Sequence, residues 1–74
     1  MNDPDLVDAL LQDVPELTSS QEIAALLRVE TATVSKWIRA GELSGMKIGK
    51  RVTRVRKADL RDFLLGADEM NLSD

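Results

Sequence analysis

Residues 17–43, LTSSQEIAALLRVETATVSKWIRAGEL, contain two short apolar patterns with helical spacing, separated by the tight connection RVE. Thr18 is followed three residues later by Gln21, which predicts a capping box at the start of the first helix. The apolar stripe of that helix is Ile23, Leu26 and Leu27. Gly41 is expected to end the second helix as its C-cap. Two short helices joined in this way are typical of a helix-turn-helix.

The second helix, predicted over residues 31–40, has two different faces. One face is apolar and consists of Val34, Trp37 and Ile38. The opposite face is small and basic: Ala32, Lys36 and Arg39 form a stripe, with Ser35 beside it and Thr31 and Thr33 at its edges. We expect Trp37 to lie in the core rather than to stack on a base.

The basic stripe of this helix carries no acidic residue, although solvated helices usually mix charges of both signs. Such a face can approach phosphates without repulsion, and its small residues allow the backbone to enter a major groove. The alternative is that these bases only solvate the surface.

A basic hairpin is predicted over residues 44–55, SGMKIGKRVTRV, with Gly49 in its turn. Apolar or β-branched residues flank Lys47 on the first strand and Arg54 on the second. Four bases are predicted to lie on the outer side of the hairpin or at its tip: Lys47, Lys50, Arg51 and Arg54. A basic ribbon beside a helix-turn-helix typically contacts the DNA backbone or a minor groove.

Two further helices are predicted near the ends of the chain. Asp3 as N-cap and Pro4 at the first helical position begin one helix, and Pro15 stops it. The other helix, KADLRDFLL, has an apolar face and precedes Gly66. We predict an acidic N-terminal helix in residues 1–16, a winged helix-turn-helix in 17–66 and a flexible acidic tail in 67–74. The predicted fold class is α+β, mainly α, with a two-stranded wing.

The net charge of −3 hides a strong segregation of charge. Residues 1–30 carry −6, residues 31–65 carry +6 and the remainder carries −3. Positive charge concentrated within an acidic chain predicts one electrostatic footprint for nucleic acid. The chain has no cysteine and no histidine, so we expect no metal site, no cofactor and no enzymatic activity. No apolar run is long enough for a membrane span, and we expect a cytoplasmic protein.

The segment from Leu17 to Leu65 resembles the excisionase family of winged helix-turn-helix domains, which are relatives of the MerR-type domain. The resemblance lies in LTSSQEIAALL, in V-x-x-x-T-V-x-K-W-I-x-x-G-x-L from Val29 to Leu43, in KIGKR and in DLRDFL. It implies a second helix that enters the major groove through Ala32, Lys36 and Arg39, and a wing at the adjacent minor groove. It further implies a protein of the bacterial host cytoplasm or nucleoid that binds neighbouring DNA sites cooperatively, bends DNA and assists an integrase in phage excision.

Three features depart from the family pattern. Ala32 cannot form a hydrogen bond with a base edge, so readout there is expected to be apolar, against a thymine methyl. The wing is one residue longer than usual, which leaves open whether Lys50, Arg51 or Val52 forms its tip. The acidic N-terminal helix is additional; it is expected to cover core surface, to contact a neighbouring protomer or the integrase, or to be incidental.

Two alternative functions stay open from the sequence. The same fold suits a small MerR-like transcription regulator, although the long dimerisation helix and effector domain of full MerR proteins are absent from this sequence. A protein-interaction adaptor would instead bind its partner through the acidic N-terminal helix.

Overall fold

The protein is described by a computed structural model that covers residues 2–66. Residues 2–66 contain four helices and three strands, and they confirm the predicted α+β winged helix-turn-helix. The elements are α1 Pro4–Leu11, β1 Leu17–Thr18, α2 Ser20–Leu27, α3 Thr31–Arg39, β2 Met46–Ile48, β3 Val52–Arg56 and α4 Lys57–Leu65. The predicted acidic tail, 67–74, lies outside the described residues.

The sheet has three antiparallel strands in the order β1-β3-β2, so the predicted two-stranded wing gains a third strand. In β1, Leu17 pairs with Arg56 and Thr18 pairs with Val55. The Lys57 amide donates a hydrogen bond of 2.9 Å to the Glu16 carbonyl, which extends this pairing by one step. The extra strand ties the segment before α2 to the base of the wing.

The capping box of α2 is formed by Ser19 and Glu22, so the prediction of Thr18 with Gln21 was wrong. The Glu22 amide donates to Ser19 Oγ at 3.1 Å, and the Ser19 amide donates to Glu22 Oε1 at 3.2 Å. Thr18 belongs to β1 and is only 2% exposed. Because Thr18 is buried in the sheet and Ser19 is still extended at φ −100° and ψ 164°, the first helical residue is Ser20, one position later than predicted.

The connections around α3 are tight. Arg28 closes α2 in a left-handed conformation with φ 59°, and the Val29 amide donates to the Ala24 carbonyl at 3.0 Å. Gly41 follows α3 with φ 79°, a conformation that favours glycine, as its predicted C-cap role requires. The chain then places Leu43 in the core at 1% exposure. These two turns connect α3 to α2 and to the segment that leads into the wing.

The N-terminal helix packs against α4 and contributes to the core. Val7 and Leu11 are buried, whereas Leu6 and Leu10 on the same helix are exposed. An ion pair between Asp8 Oδ1 and Arg61 Nε, 2.7 Å apart, lies at the side of this contact. Covering core surface was one of the three predicted roles of α1, and this role is observed.

Trp37 is half-buried rather than fully enclosed. Its ring lies 5.0 Å from that of Phe63, centroid to centroid, with a tilt of 41°. Val34, one turn earlier on α3, is completely buried. The predicted apolar face of α3 therefore anchors this helix on the core, and Trp37 joins it to α4.

Candidate nucleic-acid interface

The polar face of α3 is exposed where the sequence predicts it. Val34 is directed into the core, and the residues on the opposite side, Ala32, Lys36 and Arg39, are all exposed. Thr31 is exposed as well, while Thr33 and Ser35 are half-buried at the edges of the helix. The structure therefore brings the stripe together on one continuous surface, flanked by hydroxyl groups.

The charges of this surface are not neutralised by neighbours in the described part of the chain. Within residues 2–66 the ion pairs are those of Arg56 with Asp59 and of Arg61 with Asp8, and neither involves α3 or the tip of the wing. The hydrogen bond from Arg56 lowers the pKa of Asp59 below its usual range and raises that of Arg56. Within residues 2–66, Asp59 thus neutralises Arg56 at the end of the wing, and no acidic side chain pairs with Lys36 or Arg39.

The tip of the wing is a three-residue turn. Gly49 adopts φ 74°, and Lys50 and Arg51 follow it before β3 begins at Val52. Both basic residues of the turn are exposed. The question that the long wing pattern left open is therefore answered: Lys50 and Arg51 are at the tip, and Val52 is in the strand.

Lys47 and Arg54 lie on opposite faces of the hairpin, so the prediction that both lie on its outer side was wrong. Lys47 pairs with Thr53, whereas Arg54 pairs with Met46. Directly paired residues of antiparallel strands share a face, and neighbouring residues alternate. Val55 lies on the face of Lys47 and is completely buried, so that face is the one turned toward the core. Lys47 is nevertheless exposed.

A polar groove separates the wing from the two helices of the helix-turn-helix. Its volume is about 340 Å³. It is lined by Ser19, Ser20, Gln21, Ser35, Arg51, Val52, Thr53 and Arg54. Ser20 and Gln21 were not among the predicted site residues. They reach this groove only because β1 pairs with β3, a long-range contact that no local pattern in the sequence reveals.

Two exposed apolar surfaces lie away from the stripe of α3. Leu6 and Leu10 are 70% and 42% exposed on α1, where they line a shallow cleft with Leu64. On the wing, Met46, Ile48 and Val52 share a face and are 41–44% exposed. The first surface has acidic neighbours on α1, and the second lies beside the bases of the wing.

Within residues 2–66, no cluster of acidic side chains is arranged to hold a metal ion. None of the helices in that range is long and apolar enough to cross a membrane.

The comparison with protein families identifies the fold. A family model for a helix-turn-helix domain, HTH_17, matches residues 19–67, about two thirds of the chain. The chain therefore belongs to this DNA-binding family, which includes excisionase-like proteins. The matched range contains α2, α3, the wing and α4, and it excludes α1. A search of curated proteins found no significant match.

Proposed function

We propose that the protein is an excisionase, a recombination directionality factor that binds duplex DNA and assists an integrase without a catalytic step of its own. The observation that carries the DNA-binding part is the exposed, acid-free stripe on α3, anchored from behind by the fully buried Val34. A helix held in this way can be inserted into a major groove without losing its contact with the core.

The side chains of the stripe make different kinds of contact with DNA. Lys36 and Arg39 donate hydrogen bonds to guanine edges or to phosphates, and Ala32 offers only a methyl contact to thymine. Hydroxyl groups at the edges of the DNA major groove come from Thr31, Thr33 and Ser35. On the wing, Lys50 and Arg51 contact the backbone or the adjacent minor groove, with Lys47 and Arg54 flanking them.

Cooperative binding to tandem sites is supported by the two exposed apolar surfaces. The surface on α1 has acidic neighbours, and the outer face of the wing has basic ones. Two such surfaces are complementary between successive copies, and a contact between unlike surfaces propagates along DNA rather than closing into a dimer. Because like charges repel, pairing of α1 with a second α1 is disfavoured.

DNA binding is tested by a salt series on a duplex probe. Contacts with about four to six phosphates should give a log–log slope of roughly −4 to −5 for affinity against salt. Lys36→Ala and Arg39→Ala should each weaken specific binding by about 1–3 kcal/mol, and Arg51→Ala should weaken specific and non-specific binding alike. A nearly flat slope for the unmodified protein would refute DNA binding and favour the adaptor hypothesis.

The excisionase assignment is tested by selection of binding sites from random DNA, followed by a bending assay. Tandem repeats that fill cooperatively and bend the duplex would support it. A single palindromic site without cooperativity would refute it in favour of a small transcription regulator. The same selected site then serves as the probe for measurements on individual side chains.

A further inference from the structure

The groove between α2, α3 and the wing has the chemistry of an anion site. Seven of its lining side chains can donate hydrogen bonds through hydroxyl, amide or guanidinium groups: Ser19, Ser20, Gln21, Ser35, Arg51, Thr53 and Arg54. Among residues 2–66, none of those that line it is acidic. The volume of about 340 Å³ far exceeds the roughly 10–15 Å³ that a cavity needs to hold one water molecule. The groove therefore has room for a group larger than a water molecule.

One of the two guanidinium groups is held in place before any ligand arrives. Arg54 Nη1 donates a hydrogen bond of 3.0 Å to the carbonyl of Thr53, and Arg54 is half-buried although it lies on the wing. This bond uses one of the five N–H donors of the guanidinium and leaves the others available. A partly ordered guanidinium loses less conformational entropy on binding than a freely rotating one.

The acidic residue nearest to the groove along the chain is already engaged. Glu22 follows Ser20 and Gln21, and its Oε1 accepts the hydrogen bond from the Ser19 amide in the capping box. Glu22 is not among the residues that line the groove. Ser20, Ser35 and Arg54 thus line the groove, and Glu22 does not line it with them.

We propose that this groove binds one phosphodiester of the DNA backbone and so connects the start of α2 to the wing. The inference rests on the proposed DNA binding and adds to it a single phosphate that α2, α3 and β3 hold together. Ser20 and Ser35 donate to its non-bridging oxygens from the helices, and Arg54 donates from the wing. A phosphate held by all three elements restrains the position of α3 along the neighbouring major groove.

The test uses the selected duplex in a series in which each member carries one uncharged methylphosphonate linkage. For the unmodified protein, the linkage in the groove should weaken binding about tenfold, the loss of a charge-assisted contact. Ser20→Ala and Arg54→Gln should each bind the unmodified duplex more weakly. Both should also show a smaller effect of the same linkage than the unmodified protein, because the remaining partners still contact that phosphate. Lys36→Gln, whose side chain lies outside the groove, is the matched control and should keep the full sensitivity there.

The outcomes separate this inference from the proposed function. A reduced effect of one shared linkage in both Ser20→Ala and Arg54→Gln supports the shared phosphate. DNA binding with full sensitivity retained in either variant, or with reduced effects at two different linkages, overturns the inference and leaves the proposed function intact. Absence of DNA binding by the unmodified protein overturns both. Ser35→Ala provides a third measurement from α3 and should show a reduced effect of the same linkage. Ser19, which caps α2, is left unchanged throughout.

Discussion

Leu11→Ala and Leu6→Ala should have very different effects, although both remove the same atoms from the same helix. Leu11 is 1% exposed in the core, and Leu6 is 70% exposed. Truncation of a buried leucine to alanine costs about 2–5 kcal/mol through lost transfer free energy and the cavity that remains. Leu11 is the last residue of the short helix α1, where the backbone can partly relax into the space. We therefore expect a loss of about 2–3 kcal/mol, in the lower half of that range.

This loss would be a large share of the total stability. A chain of this length is expected to have a free energy of unfolding of about 4–11 kcal/mol. With a urea m-value of about 1 kcal/mol per molar, the unfolding midpoint of Leu11→Ala should fall by roughly 2 M or more. Leu6→Ala should change the free energy of unfolding by no more than about 0.5 kcal/mol, as most surface substitutions do.

Tryptophan fluorescence is a suitable assay, since Trp37 is the only tryptophan and its ring packs on Phe63 of α4. The signal therefore reports on the core against which α1 packs, and not on α1 itself. Equal midpoints for Leu11→Ala and Leu6→Ala would refute the packing of α1 on the domain. The N-terminal helix would then be a separate segment rather than a part of the core.

Three further substitutions test other parts of the fold. Arg28→Gly should raise the free energy of unfolding by about 0.5–1 kcal/mol, because glycine removes the strain of the left-handed conformation, while Arg28→Ala should give no gain in the same denaturation assay. The hydrogen bond from Arg61 lowers the pKa of Asp8 below 3.8. Their pairing therefore stabilises the fold above that pH, and this stabilisation is lost as the pH falls through the lowered pKa. Acid titration should consequently lower the free energy of unfolding less for Asp8→Asn than for the unmodified protein. Trp37→Ala should lower the thermal midpoint with a loss of about 2–4 kcal/mol, and a variant that unfolded normally but failed to bind DNA would contradict its structural role.

The faces of α3 could be predicted from the sequence because they depend on one local period. Nine helical residues with a buried valine in the middle determine which side chains are exposed, whatever the rest of the chain does. The strand β1 could not be found in this way. It has two residues, and its existence depends on pairing with β3, which lies almost 40 positions further along the chain. The capping box was predicted one residue too early for the same reason, because Thr18 belongs to this strand.

The faces of the wing depended on the length of one turn. Ile48 pairs with Val52 across a three-residue turn, so even-numbered residues pair with even-numbered ones. Lys47 and Arg54 then fall on opposite faces. A turn longer by one residue would pair them directly, and a turn shorter by one residue would also place both on one side. The period-2 pattern correctly predicted how side chains alternate along each strand. It carried no information about which residues of the two strands pair with each other.

The wing passes into α4 without an intervening residue, since β3 ends at Arg56 and α4 begins at Lys57. On its other side, β3 is paired with β1, and the Lys57 amide is bonded to Glu16 at 2.9 Å. The base of the wing therefore has no hinge, and its distance from α3 is preorganised. A duplex whose grooves do not match this distance has to deform to fit the protein. The cost of recognition then depends on how easily a given DNA sequence bends, so even base pairs that no side chain touches influence affinity.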